Sequence, residues 1–124
     1  QCATGGSFRI APNGTTTAVF GAGTSYDRST ATTLGVNFTY ATQGVSTIKA
    51  NDGQNGFSFR IDKYSTNYTK KNMLFYGSFL NPSDTWYSVS YGGHVSDGSQ
   101  ITSLVFSNSA GNLTGGTVYL YGVK

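Results

Sequence analysis

The sequence contains no glutamate, and charged residues make up only 10% of the chain. Long surface helices in water depend on Glu, Lys, Ala and Leu, so this composition disfavours them. The net charge of +3 arises from eight Lys and Arg against five Asp. Nucleic-acid-binding modules usually cluster more cations than this, so no nucleic-acid partner is predicted. No stretch approaches the ~20 apolar residues that a membrane span requires.

Cysteine and histidine each occur once, as Cys2 and His94. A single cysteine excludes an intrachain disulfide, so the fold must depend on packing within or between subunits. We interpret Cys2 as a passive terminal residue, with pairing between chains as the alternative. The counts also exclude a metal site built from histidine and cysteine, and no cofactor is predicted.

The residue types that catalysis needs are scarce. His94 and Asp97 are close in sequence, but no nucleophile motif accompanies them, so we interpret this stretch as a solvated turn. Five Asp, most of them beside Gly, Pro or Ser, offer few carboxylate pairs for glycoside hydrolysis. Residues 51–56 loosely match a calcium loop, but with one carboxylate a hairpin turn is favoured. The prediction is that the protein is not an enzyme.

What the chain does contain is 17 Gly, 15% aromatic residues and abundant Ser and Thr. Short strands joined by tight turns suit this composition. At 124 residues we expect one domain, and turn signals every 8 to 12 residues favour an all-β sandwich or barrel. The predicted strands are residues 7–11, 15–20, 35–41, 45–50, 56–62, 73–80, 85–91, 100–107 and 117–123. Long surface loops are predicted over residues 22–33 and 63–72.

The second of these loops is the densest cationic segment of the chain. Its lysines alternate with tyrosines, which together could attract an acidic sugar or phosphate and stack on its rings. The candidate ligand-binding residues here are Tyr64, Tyr68, Lys70 and Lys71. An ordinary solvated loop is the competing interpretation.

Trp86 is the remaining candidate binding residue. It shares one strand face with Ser88 and Ser90, while Tyr87 and Val89 point to the other face. Three interpretations remain open. Trp86 could be a core aromatic residue, a platform on which a sugar stacks, or a subunit contact.

The last quarter of the chain predicts two strands joined by a Gly- and Asn-rich connection. In the second of these strands, Val118 and Leu120 fall on one face and Tyr119 and Tyr121 on the other. Apolar bulk on both faces suits a strand in a sheet that is covered on both sides. We therefore expect residues 117–123 to belong to the core.

Residues 101–122 also follow a pattern of strand, Ser-Gly-Asn turn and strand ending Leu-Tyr-Gly. This pattern resembles the closing pattern of a β-sandwich domain common on bacteriophage virion surface proteins, such as tail fibres and head decorations. Residues 56–65 and Lys70 are similar to that family's middle strand and the turn after it. The resemblance covers the second half of the chain, and residues 1–50 contribute little to it.

The resemblance implies an antiparallel β-sandwich of jelly-roll type on the virion surface. It implies a structural role beside other virion proteins, as a homo-oligomer with a trimer as the expected form, and contact with a host-surface glycan. The family is defined by its scaffold, so no active-site residues carry over. A carbohydrate-binding module or lectin is the alternative function. Because the chain begins at Gln1 without Met, either a leader was removed or this is a piece of a longer protein.

Overall fold

Eight β-strands make up the regular structure of this chain, in a computed structural model that describes residues 1, 3–14, 19–27, 32–38, 41–42, 47–51 and 54–122. Over these ranges there is no helix, which confirms the all-β prediction. The strands are β1 (Phe8–Pro12), β2 (Val19–Asp27), β3 (Thr32–Phe38), β4 (Ala41–Thr42), β5 (Gly56–Ile61), β6 (Lys71–Leu80), β7 (Trp86–Val95) and β8 (Leu104–Asn108).

The strands form two antiparallel sheets. One has the order β3-β2-β7-β6-β5 and the other has the order β4-β1-β8. In the larger sheet the β6–β7 register pairs Lys71 with Val95 at one end and Leu80 with Trp86 at the other. β5 and β8 each pair with one neighbour and lie at one end of their sheets. Each sheet thus has two outer strands, β3 and β5 in the larger sheet and β4 and β8 in the smaller one.

Alternation of apolar and polar positions explains why β6 forms at the centre of the core. Met73, Phe75 and Phe79 are buried, whereas the intervening residues 72, 74, 76 and 78 are exposed. This two-residue period is that of a strand with one face on the core. Gly77 interrupts the buried row. A residue with a side chain would not fit here, because its Cβ would lie 2.9 Å from the Cα of Phe57 on β5. Its missing side chain lets the two strands approach.

Aromatic rings connect the two sheets into a sandwich. Phe8 of β1 stacks on Phe57 of β5 with ring centroids 5.1 Å apart, and Phe57 contacts Phe75 at 5.4 Å. Phe106 of β8 also stacks on Phe8, with ring centroids 6.2 Å apart. Such pairs add to the gain from burying apolar area. The buried core consists of Ile10, Ile48, Met73, Phe75, Phe79, Val89, Val95 and Ile101.

The prediction of a long surface loop over residues 22–33 is wrong. β2 runs from Val19 to Asp27 and is hydrogen-bonded on both sides, to β3 and to β7. Its backbone ladder with two neighbours outweighs the weak strand preference of its Gly, Ser and Ala residues. Residues 28–31 fall outside the described residues, as do residues 15–18 of the predicted strand 15–20.

Two other predicted strands are shorter than expected. In the predicted strand 45–50, the described residues contribute only a bridge between Ile48 and Gly6. β8 begins at Leu104 rather than at residue 100. The Asn13 side chain explains the late start, since its Oδ1 accepts hydrogen bonds from the backbone N–H groups of Thr102 and Ser103. These groups then cannot join a ladder.

The prediction that residues 117–123 form a core strand is also wrong over the described part, residues 117–122. No strand is present there, and Tyr119, Leu120 and Tyr121 are 75%, 77% and 81% exposed. The aromatic contacts between the sheets form without these residues. The alternating pattern of the segment is suited to a strand, but none of the strands that the structure describes pairs with it.

Candidate functional site

The Tyr–Lys loop, residues 62–70, connects β5 to β6 and contains most of the predicted ligand-binding residues. Its first part is a tight turn in which Lys63 has φ +57° and accepts a hydrogen bond from Thr66 N–H at 3.1 Å. Asp62 N–H donates to Asn72 O at the base of the loop. Tyr64 O accepts a hydrogen bond from Ile101 N–H at 2.8 Å, which attaches the loop to the segment before β8.

Lys71 lies beneath this loop. The prediction that Lys71 belongs to an exposed cationic loop is therefore wrong. The residue begins β6 with its side chain on the inner face and is fully buried. Its ammonium donates three hydrogen bonds, to the carbonyls of Tyr68 at 2.8 Å, Asp97 at 2.6 Å and Ser99 at 2.7 Å. All three donors of the ammonium are thus used within the protein. Lys71 holds two loops together and is not accessible to a ligand.

Asp97 and Asn13 extend this polar contact beneath the loop. The Asp97 carboxylate accepts hydrogen bonds from Ser99 N–H at 2.8 Å and from Asn13 Nδ2 at 3.1 Å. The backbone donor of Ser99, then Asn13, hold the pKa of Asp97 below its ordinary value of 3.8. Hydrogen bonds that favour the charged form lower a carboxyl pKa in this way. Asn13 itself has φ +51° and also donates to Gln100 O.

We expect this carboxylate to make the fold sensitive to acid. Because the folded pKa is lowered, its contribution to stability is complete above about pH 3.8 and is lost as the pH falls through the folded value. Melting temperature measured from about pH 6 to about pH 2 should fall more steeply below pH 3.8 for the wild type than for Asp97→Asn. Parallel curves for the two proteins would contradict this.

The exposed side of the Tyr–Lys loop combines positive charge with a ring face. Lys63 Nζ lies 4.9 Å from the centroid of the Tyr68 ring, which is within range for a cation–π contact. Lys70 is exposed beside them. These residues surround a shallow depression of about 270 Å³, lined by Asp62, Lys63, Tyr68, Thr69, Lys70 and Asn72. The structure therefore brings the predicted residues Tyr68 and Lys70 together.

Tyr64 points to a different feature, the edge cleft, which is a cleft of about 680 Å³ between the outer strands β5 and β8. Residues 59–61 of β5 form one wall and residues 101–104 form the other. Leu120, Tyr121 and Gly122 lie along its rim. Sequence reasoning missed this cleft because its walls come from three segments that are distant in the chain.

Trp86 does not join the other predicted residues. It begins β7 opposite Leu80, whereas the Tyr–Lys loop adjoins the Lys71 end of β6. The ten residues of β6 place its two ends nine steps apart, which is roughly 30 Å. The indole is half-buried, and the adjacent residues Ser88 and Ser90 are exposed. A sugar at Trp86 would therefore occupy a site of its own, and the role of Trp86 stays a prediction.

The residues considered for catalysis and metal binding lie partly outside the described residues, as Cys2 and Asp52 do. His94 lies within β7 rather than in the predicted turn, opposite Asn72 of β6. In the part of the chain that the structure describes, no three His, Cys, Asp or Glu residues are placed to hold a metal ion. The described part of the chain also contains no helix that is long and apolar enough to cross a membrane.

Comparison of the chain with protein-family models, curated proteins and solved structures gives no match. Function must therefore be argued from the chain itself. Two surfaces are available for that argument. One is the exposed face of the Tyr–Lys loop, and the other is the edge cleft together with the apolar C-terminal segment on its rim.

Proposed function

We propose that the protein is a structural, non-enzymatic module on the surface of a bacteriophage virion. The observation that carries the proposal is the exposure of residues 118–121, where four consecutive large apolar side chains are 58% to 81% exposed. Large exposed apolar patches mark surfaces that bind other proteins. The same segment contains the Leu-Tyr-Gly ending on which the resemblance to virion surface domains rests.

The rest of the architecture suits a structural role. Two antiparallel sheets enclose an aromatic core, and the loops at the Lys71 end are fixed by a buried ammonium and a hydrogen-bonded carboxylate. Rigid loops and short turns are what a module exposed on a particle requires, because mobile loop tips are preferred sites of proteolysis. Jelly-roll connectivity remains part of this proposal.

Mass spectrometry of purified phage particles tests the virion assignment. The full-length protein is expressed in the phage host, and particles are separated from free protein on a density gradient. We expect the chain in the particle fraction, reduced by Leu120→Asp but not by Leu113→Asp, which changes an exposed leucine outside residues 118–121. Particles that contain none of the wild-type chain, although it is abundant in the lysate, would contradict the proposal.

A second candidate function is binding of an acidic surface polysaccharide by the Tyr–Lys loop. The contact between Lys63 and Tyr68, with Lys70 on the same depression, is the observation that favours it. A tyrosine ring can stack on the C–H face of a sugar, and lysines attract its carboxylates. This role is compatible with a virion module that contacts the host surface.

We expect Lys70→Ala to weaken binding to an acidic polysaccharide by several-fold at low salt and by much less at high salt. Exposed charges are screened within about 10 Å at 0.1 M ionic strength, so the effect should depend on salt. Titration with host envelope polysaccharide at two salt concentrations measures it. Lys49→Ala is the control, because Lys49 pairs with Asp84 away from the Tyr–Lys loop. Equal losses for both variants would contradict the assignment.

A further inference from the structure

The sandwich is open along the side where the edge cleft lies. β5 ends the five-stranded sheet and β8 ends the three-stranded sheet, and residues of both line the cleft. Among the described residues, no strand pairs with the outer edge of β5. An outer strand has unpaired N–H and C=O groups that can accept a further strand. The cleft is therefore a place where a strand could be added.

The walls of the edge cleft require an apolar occupant. Phe59 and Ile61 pack against the core from β5, and Leu104 does so from β8, yet all three are only partly buried. Of the three charged residues in the lining, Arg60 and Asp62 form an ion pair, with Arg60 Nε 2.7 Å from Asp62 Oδ1, and Lys63 has its Nζ over the Tyr68 ring. An uncharged segment with apolar side chains would cover these walls without leaving an ion unpaired.

Residues 117–122 have this composition and length. They contain no charged residue, and their apolar side chains alternate between two faces as they do in a strand. The segment has six residues, and β5 has six as well. In its own chain it touches the rim of the cleft through Leu120, Tyr121 and Gly122, but most of its apolar surface remains exposed.

The start of the segment is fixed to the body of the protein. The Gln1 amine donates to Gly115 O at 2.8 Å, and Thr114 N–H donates to Gln1 O at 2.9 Å. Gly116 follows with φ +128°, a conformation that favours glycine and lets the chain change direction. Six extended residues beyond it can reach roughly 20 Å. The segment can therefore leave its own subunit while residues up to 115 stay in place.

We propose that residues 117–122 of one copy enter the edge cleft of a second copy and add a strand to the outer edge of β5. Each chain contains both the open edge and the segment that fits it, so every copy can give and receive one strand. Exchange between two copies, or around a closed ring such as the expected trimer, gives the β5 edge of every copy a partner. This inference rests on the proposed structural role, because it names the contact through which the modules associate.

Sedimentation of the 124-residue chain tests the exchange. We expect a concentration-dependent mass of at least two chains for the wild type and for Leu113→Asp. Leu120→Asp should reduce it to one chain of 13.1 kDa, because a carboxylate cannot enter the apolar cleft. A wild-type monomer at all concentrations, or an oligomer unchanged by Leu120→Asp, would overturn the exchange.

Cross-linking distinguishes exchange from a segment that closes on its own cleft. Full-length Cys2→Ser proteins are prepared with Arg60→Cys in β5, with Tyr119→Cys in the segment, or with both, and treated with a short bismaleimide. The mixture of the two single variants should yield a covalent dimer, and a Ser83→Cys protein in place of Arg60→Cys should not, because Ser83 lies in the β6–β7 turn. Cross-linking only within the double variant's own chain would overturn the exchange.

The two proposals can fail separately. Particles that lack the chain, combined with an intermolecular cross-link, would contradict the virion role and leave strand exchange standing. Particles that contain the chain with Leu120→Asp in undiminished amount would indicate assembly through another surface. If the mixture of the two single-cysteine variants also gives no cross-link, strand exchange is overturned and the virion role stays in place.

Discussion

Replacing Lys71 with Ala is expected to lower the free energy of unfolding by about 3 kcal/mol or more, although a surface lysine normally contributes little. The ammonium is the common donor to the carbonyls of Tyr68, Asp97 and Ser99, and the side chain is fully buried. Each buried acceptor left without a partner costs about 1–3 kcal/mol. The loss should appear as a lower midpoint in chemical denaturation.

The adjacent lysine supplies the control for this prediction. Lys70→Ala should change the free energy of unfolding by no more than about 0.5 kcal/mol, because Lys70 is exposed. Lys71→Met keeps the apolar stem but removes the donors, so it should remain close to Lys71→Ala. Equal stability of Lys70→Ala and Lys71→Ala would show that the buried ammonium does not hold the two loops together.

The second large effect is expected in the core. Phe75→Ala should lower the free energy of unfolding by about 3–5 kcal/mol, because it leaves a cavity that the surrounding residues fill only partly. Phe75 is 1% exposed and contacts Phe57 and Phe59 of β5. Its loss would therefore also loosen the outer strand from β6.

Tyr76, the next residue, points to the opposite face and is 56% exposed. Tyr76→Ala removes an aromatic ring of similar size, so it controls for strand preference without creating a core cavity. We expect it to cost no more than about 1 kcal/mol. If Tyr76→Ala were as destabilising as Phe75→Ala, the assignment of the inner and outer faces of β6 would be wrong.

Where the two-residue period is strong and a turn follows, the sequence predicts the fold well. The predicted strands 56–62 and 73–80 match β5 and β6 closely, and the inner position of Val89 in β7 also follows from alternation. In β5 the alternate positions are Phe57, Phe59 and Ile61, and in β6 the apolar residues Met73, Phe75 and Phe79 share one face. The all-β class is fixed by the same pattern and by the shortage of helix formers.

Contacts between distant segments account for what the sequence does not predict. Lys71 looks like its neighbour Lys70 in the sequence, but its buried ammonium donates to the carbonyls of residues 68, 97 and 99, two of which are distant in the chain. β2 forms because it has a partner on each side, although its middle, residues 21–25, contains only Gly, Ala, Thr and Ser. A local pattern cannot report such partners.

The C-terminal segment shows the same limitation in the opposite direction. Residues 117–122 have the alternation of a strand, but β1 to β8, the strands described for their own chain, do not pair with them. A pattern indicates that a segment is suited to pairing without indicating which chain supplies the partner. Likewise, Tyr64 and Tyr68 are close in sequence, yet they line two different surfaces of the protein.

The most direct test of the position of the C-terminal segment is thermal unfolding of the protein with residues 117–124 deleted. It is compared with the full chain at concentrations low enough for both to be monomeric. Because residues 117–122 lie outside the core, we expect the deletion to leave the melting temperature of the monomer unchanged. Loss of folding, or a large fall in melting temperature, would place the segment within the core of its own chain and contradict the proposed role in assembly.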